Sequence, residues 1–270
     1  MDVKKMFDEK LSRRGLIKGA GMVAVGAAGM ASLKSGGLDF LSNAEAKGGA
    51  TEKWPWPYEK LDPEKTAELA YNEWYRLFCG GAVISSVFSQ LREKVGEPYK
   101  SFPIDAYVFL EGGIAGWGTI CGSNAGANIV SNMIIGPRIA GPECENGAVI
   151  GANVMKWYSE TSLPVYTPED PRVKTELVRT TSDSPLCHVS VGKWMKASGY
   201  PIGSPERRDR CARVTASVAY KLVNDLNAWK DGKFKETAAW GPVKDFGITS
   251  QQNCMDCHGS NIPSAPQAKK

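Results

Sequence analysis

Histidine is scarce in this chain: its 270 residues contain two, His188 and His258. Charge of either sign is close to balance, and removing residues 1–46 leaves 26 basic against 24 acidic side chains. Such a balance gives no reason to expect nucleic acid as a partner. No apolar run reaches the roughly 20 residues that a spanning helix needs, which argues against stable membrane insertion. The glycine-rich "GGIAGWG" at 112–118 lacks both the Gly-x-Gly-x-x-Gly spacing and the lysine of a phosphate loop, so it is not a nucleotide site. There is no internal repeat, and no alternation of strands with helices that would build a parallel sheet. What remains is an ordinary globular composition, 42% hydrophobic and 23% charged, long enough for one large core or two small ones.

The informative residues stand at the two ends. At 253–259 the chain reads "NCMDCHG", so Cys254, Cys257 and His258 form a Cys-x-x-Cys-His. In that motif two thiols add to the vinyl groups of a haem and the adjacent imidazole takes one face of the iron, which makes haem c the expected cofactor. A thioredoxin-like Cys-x-x-Cys would instead open a helix after a strand, which the polar surroundings do not resemble. At the other end, Arg13 and Arg14 precede the weakly apolar "GMVAVGAAGMA", and "AEA" precedes Lys47. Residues 1–46 therefore read as a twin-arginine signal peptide, cleaved after Ala46, that directs the protein to the periplasm. The alternative is a basic amphipathic helix. Twin-arginine export carries proteins already folded, whereas haem is attached outside the cytoplasmic membrane. A motif placed in an accessible C-terminal tail reconciles the two and raises the question of what is inserted beforehand.

Between the ends the expected class is mostly α. Residues 47–61, containing "KWPWPYEK", read as an extended linker; 62–232 as an α-helical redox domain; and 233–270 as an irregular C-terminal arm carrying the haem motif. Asp62-Pro63 opens a helix with Leu69, Trp74, Leu77, Phe78, Ile84, Val87, Phe88, Leu91 and Val95 at helical spacing, and Gly80-Gly81 predicts a kink or a split just after Cys79. Thr119 is placed to cap the next helix, in which Gly122, Gly126 and Ala127 allow a neighbouring backbone to come close. A loop and helix follow to about residue 158, then a long connection or short hairpin over 160–184. Ser184-Pro185 and Ser204-Pro205 open two further helices, the second with Val214, Val218, Leu222 and Leu226 on one stripe.

Five more cysteines lie in the body: Cys79, Cys121, Cys144, Cys187 and Cys211. The total of seven rules out complete pairing within one chain. In an exported protein disulfides are the plain reading, and a buried apolar thiol with no chemistry is the plain reading for any one of them. Cys121 and Cys187, however, fall in predicted first turns of helices, where unpaired amides favour thiolate. Four of the five could converge on an iron–sulfur cluster or form a redox-active pair, and cytoplasmic insertion of a cluster would explain folded export. Zinc satisfies the same ligands without a link to the haem. If the haem iron takes two imidazoles, His188 must supply the second, from the same chain or another; otherwise Met133, Met155, Met195 or an open face takes that position. The eight tryptophans read as core and interface before they read as an electron route.

These residues together resemble the split-Soret cytochrome c family and, through the body, the wider redox family recognised by Cys…Gly-Cys-Ala-x-x-Gly…Cys…Cys. The resemblance rests on "FCGGAVISSVF" with Cys79, "TICGSNAGANIV" with Cys121, Gly122 and Gly126, "LCHVSV" with Cys187, "DRCARV" with Cys211, and the terminal "CMDCH", over roughly residues 60–260. The chain departs from it in the Ser123-Asn124 that follows Cys121-Gly122, and in offering one Cys-x-x-Cys-His where close haem pairs are associated with the family. The resemblance implies an α-helical homodimer with bis-histidine c-type haems near the subunit contact, axial ligands exchangeable between subunits, and an iron–sulfur centre as the use of Cys79, Cys121, Cys187 and Cys211. With one haem per chain, a pair forms across the dimer. The expected function is electron transfer without substrate chemistry, passing electrons to redox protein partners. The competing expectation is an oxidoreductase whose body cysteines act on a substrate while the haem relays electrons.

Overall fold

The computed structural model describes residues 54–137 and 146–238. Five α-helices carry them: α1 (Pro63–Lys94), α2 (Gly122–Ile135), α3 (Ala148–Glu160), α4 (Cys187–Ser198) and α5 (Pro205–Lys230). A single antiparallel pair of two-residue strands, β1 (Ser162–Leu163) and β2 (Thr180–Thr181), pins the long connection between α3 and α4. The protein is thus mostly helical, as expected.

Two helix starts follow from local chemistry. The Asp62 carboxylate accepts from the amides of Glu64 and Lys65 with Pro63 in the first turn, and the Ser204 hydroxyl accepts from the Arg207 amide with Pro205 behind it. Two other starts differ from the sequence expectation. Thr119 does not cap α2; its Oγ1 accepts from the Ile114 amide, and Cys121 stands at the cap position without a side-chain bond. Ser184 holds the Leu186 amide in the turn before α4, which begins at Cys187.

The stripe Val214, Val218, Leu222 and Leu226 is buried, as helical spacing requires, and α5 lies along α1. Their shared core extends to Ala127, Val130 and Ile134 of α2 and to Ile150 and Val154 of α3. Phe88 anchors an aromatic group with Trp56, Tyr99 and Phe102. Residues 54–61 are extended and docked. Trp56 is 4% exposed and its amide donates to the Ile134 carbonyl at 2.7 Å. The Tyr58 hydroxyl donates to Asn227 Oδ1 at 2.9 Å, and Asn227 Nδ2 returns a bond to the Leu61 carbonyl at 2.8 Å.

The break in α1 lies one residue earlier than the glycine pair suggests. Phe78 has φ 54° and ψ −159°, so the helix stops before Cys79 and restarts with it. The glycines serve a different purpose. A Cβ built on Gly126 of α2 would stand 2.6 Å from the Gly80 carbonyl oxygen of α1, so two backbones meet there with no side chain between them. That close crossing brings Cys79 up to the start of α2.

Candidate metal centre

A second, smaller apolar group lies beside the main core and contains Tyr71, Trp74, Cys79, Cys211, Ala212 and Ala216. Cys79 opens the restarted half of α1, Cys121 caps α2 and Cys187 begins α4. The last two are tied together by an antiparallel bridge between Ile120 and Leu186, with the Cys121 amide on the Pro185 carbonyl (2.8 Å) and the Cys187 amide on the Thr119 carbonyl (2.7 Å). Cys211 approaches from α5. Three helix starts, each with the partial positive charge of unpaired amides, are therefore turned to the same group of sulfurs.

The thiols are free and close enough to set each other's ionisation. Cys121 is pulled down to about 6, first by a hydrogen bond with Cys79, then by the Tyr158 hydroxyl and by the amide and hydroxyl of Ser123. Cys79 is pushed well up, by that same bond first and by burial second, while its sulfur accepts from the Trp74 indole at 3.3 Å. Cys187 is pushed up to about 12 by burial and then by the negative charge of Cys121 and Cys211. The arrangement favours the thiolate of Cys121 over those of Cys79 and Cys187.

Among the described residues no three His, Cys, Asp or Glu side chains are gathered as ligands of one metal ion. A multinuclear cluster takes its cysteines across a wider space than a single ion does, and four thiols on three helix starts and one helix flank suit such a group in donor chemistry and charge. Beside them is a cavity of ≈ 690 Å³, lined by Cys79, Cys187, Cys211, His188, Arg207 and Arg208. Trp74, Phe78, Val191 and Met195 supply its apolar wall.

His188 is exposed at the rim of this cavity. Its Nδ1 lies 2.8 Å from the Gly118 carbonyl oxygen, and a carbonyl only accepts, so Nδ1 carries a proton and Nε2 is the nitrogen whose lone pair the neutral ring offers. A backbone carbonyl holding one ring nitrogen is also the way in which metal-binding imidazoles are oriented in general. Gly118 has φ +69°, and a Cβ there would stand 2.9 Å from the His188 Cβ. On the same loop Trp117, the residue before Gly118, is 84% exposed, with Phe109 at 46% and Ile114 at 38%.

Of the alternative iron ligands, Met195 shares the cavity with His188, whereas Met133 packs against the main core. Cys144, Cys254, Cys257 and His258 lie outside the described residues.

Comparisons with known proteins identify the family. The sequence model of the redox-active protein family C_GCAxxG_C_C matches residues 83–224, a span that contains Cys121, Cys187 and Cys211 and begins just after Cys79. The split-Soret cytochrome c of Desulfovibrio desulfuricans (strain ATCC 27774 / DSM 6949 / MB) is 35% identical over 271 residues, covering 96% of this chain and 91% of that protein. The chain belongs to the split-Soret cytochrome c family. A solved structure of the split-Soret cytochrome c from D. desulfuricans ATCC 27774, described as having a novel iron centre, superposes with a TM-score of 0.64 at 32% identity, covering 82% of this chain and 91% of that one. Membership of the split-Soret cytochromes c makes this a redox electron-transfer protein. No helix among the described residues is long and apolar enough to cross a membrane.

Sequence reasoning did not pick out Arg210, Tyr158 or Ser190, which surround the thiols. Arg210 is 2% exposed and its Nη2 donates to Ser190 Oγ at 2.9 Å. The Tyr158 hydroxyl is hydrogen-bonded to Ser190 and to Cys121. A signal existed for the arginine: Arg210 lies four residues before Val214, on the same stripe as Val218, Leu222 and Leu226. A charge in line with a buried stripe needs a reason.

Proposed function

We propose that the protein is a periplasmic c-type cytochrome that transfers electrons, delivered by the twin-arginine route and working as a homodimer. Cys254 and Cys257 hold one haem c per chain, and His258 and His188 take the two faces of its iron, His188 from its own chain or from its neighbour. The observation that carries this reading is the hydrogen bond of His188 Nδ1 to the Gly118 carbonyl, which leaves an outward Nε2 beside an exposed apolar loop suited to a porphyrin edge. Cys79, Cys121, Cys187 and Cys211 are assigned to an iron–sulfur centre inserted before export, supported by their shared surroundings and by the iron centre described for the D. desulfuricans protein. When bound, the two groups supply one-electron redox couples. The chain's own task is to orient His188, keep the thiols out of water and hold Cys121 as thiolate.

Two imidazoles leave no open coordination position, so small molecules are not turned over at the haem. The decisive test is anaerobic purification of the exported protein, with an absorption spectrum, total iron, acid-labile sulfide and the mass of the C-terminal peptide. A peptide heavier by one haem, a low-spin spectrum that carbon monoxide does not change at neutral pH, and iron in excess of haem support the proposal. A peptide of unmodified mass refutes it.

A second reading is favoured by the cavity. A space of ≈ 690 Å³ with Cys79, Cys187 and Cys211 on its wall has room for a small substrate, as an oxidoreductase fed by the haem would require. Substrate-dependent reoxidation of the body centre, abolished by Cys211→Ser while the haem spectrum is kept, would establish that reading over simple electron transfer.

A further inference from the structure

The guanidinium of Arg210 has no counter-ion of the usual kind. It is fully buried, its Nη2 is used on the neutral Ser190 hydroxyl, its Nε has no hydrogen-bond partner, and no carboxylate among the described residues pairs with it. The other buried arginine of α5 follows the ordinary rule, since Arg213 Nε meets Asp209 Oδ2 at 2.7 Å. A buried cation that lacks an anion is strongly unfavourable. The groups that do interact electrostatically with Arg210 are the sulfurs of Cys211 and Cys121 and the Tyr158 hydroxyl, and Cys211 is also its hydrogen-bond partner.

We propose that Arg210 is the built-in counter-ion of the body's sulfur centre, which carries buried negative charge that increases on reduction and that Arg210 stabilises. The proposal rests on the reading of Cys79, Cys121, Cys187 and Cys211 as a redox centre, and it holds for either form of that centre. In a cluster, reduction adds one electron and makes the group one unit more negative. In a cysteine pair, reduction adds two electrons and one proton to the disulfide, breaks the S–S bond and leaves one thiolate and one thiol. In both forms a fixed positive charge beside the sulfurs favours the reduced state. The three helix starts act in the same sense but with partial charges only, and at two of them the amides of Cys121 and Cys187 are engaged by backbone carbonyls at the Ile120–Leu186 bridge. Arg207 Nη1 also reaches Cys211 Sγ, at 3.9 Å, from the cavity side; Arg210 is the fully buried charge at the centre and a positioning residue, since it acts through the sulfurs.

The test compares the full-length, exported protein with Arg210→Met and Arg210→Lys by redox titration of the body centre, with the haem couple as internal reference. Arg210→Met is expected to shift the reduced-to-oxidised ratio at fixed potential at least tenfold toward the oxidised form, equivalent to 59 mV for a one-electron couple. Arg210→Lys is expected to recover most of that shift, and the haem couple to move less. Where the methionine variant does not accumulate, Arg210→Gln keeps a donor for Ser190 without the charge and must shift the same way. Iron in excess of haem with labile sulfide identifies the titrated centre as a cluster. Iron equal to haem refutes the cluster, and the same comparison is then made on the cysteine pair by equilibration with dithiothreitol. An unchanged or raised potential in the neutral variants overturns the proposal in either form, and so does a wild-type body with neither a cluster nor an oxidisable pair.

Discussion

Replacing Gly126 with alanine tests whether the crossing of α1 and α2 holds the sulfurs together. The new Cβ would lie 2.6 Å from the Gly80 carbonyl oxygen and 3.0 Å from its Cα, against about 3.4 Å for ordinary contact, so the helices must part by about 0.8 Å. Both atoms are backbone, and no rotamer change relieves the overlap. Overpacking of this kind costs about 1–3 kcal/mol, here near ~3 because a whole helix must move. Alanine in place of glycine in a helix returns about 1 kcal/mol of propensity. The net loss is about 2 kcal/mol, a fall in Tm of about 4–8 °C for a body of this size. Gly192 provides the opposite case. It lies within α4 with nothing within 4 Å of a Cβ, so Gly192→Ala should raise Tm by about 2–4 °C through propensity alone. Calorimetry and guanidinium unfolding followed by circular dichroism measure both. Because Cys79 adjoins Gly80, Gly126→Ala should also disturb the spectrum of the body centre. A Gly126→Ala protein as stable as wild type, or a Gly192→Ala protein destabilised to the same degree, would refute the reasoning.

Asp209 is fully buried and accepts from Tyr71 at 2.5 Å, Tyr75 at 2.8 Å and Arg213 at 2.7 Å; Asp209→Ala strands a buried guanidinium and should lower unfolding free energy by about 3–5 kcal/mol in urea titration. Gly118→Ala places a Cβ against the His188 side chain at a φ of +69°; under the proposed ligation it and His188→Ala should each reduce the low-spin haem signal, with far-ultraviolet dichroism unchanged. In protein stripped of non-haem iron, thiolate absorbance near 240 nm should titrate with a midpoint of about 6 for Cys121. Its folded pKa lies below the ordinary value of about 9, so this thiolate's contribution to stability is complete above pH 9 and is lost as pH falls through 6. The urea midpoint should therefore rise between pH 6 and pH 9, an increase that Cys121→Ser removes.

The helices were legible because their signals are local. Asp62-Pro63 and Ser204-Pro205 carry oxygen and ring to the first turn whatever surrounds them, and Val214 to Leu226 repeat at the helical period. Starts that depend on distant partners were misplaced. Thr119 looks like a cap, yet its hydroxyl is taken by a loop amide, and α4 starts late because the bridge of Ile120 with Leu186 holds the preceding residues extended. The glycine pair marked the interruption of α1 but not its position, because Phe78 adopts the positive φ and the glycines admit α2. At the site, residue type revealed the thiols and His188. Arg210 was missed because the stripe was read from its apolar members alone.

The bonds of Asn227 to Tyr58 and Leu61, joined by Lys60 to Asp231 at 2.8 Å, put the first and last turns of the body side by side. The order in which its elements are threaded is thus separable from the way they pack. A circularly permuted body, with residues 58 and 231 joined by a short linker and new ends opened between 167 and 176, would give up the contacts of Trp56 with Ile134 and Phe88 but keep the contacts between helices described above, including those that surround the sulfurs.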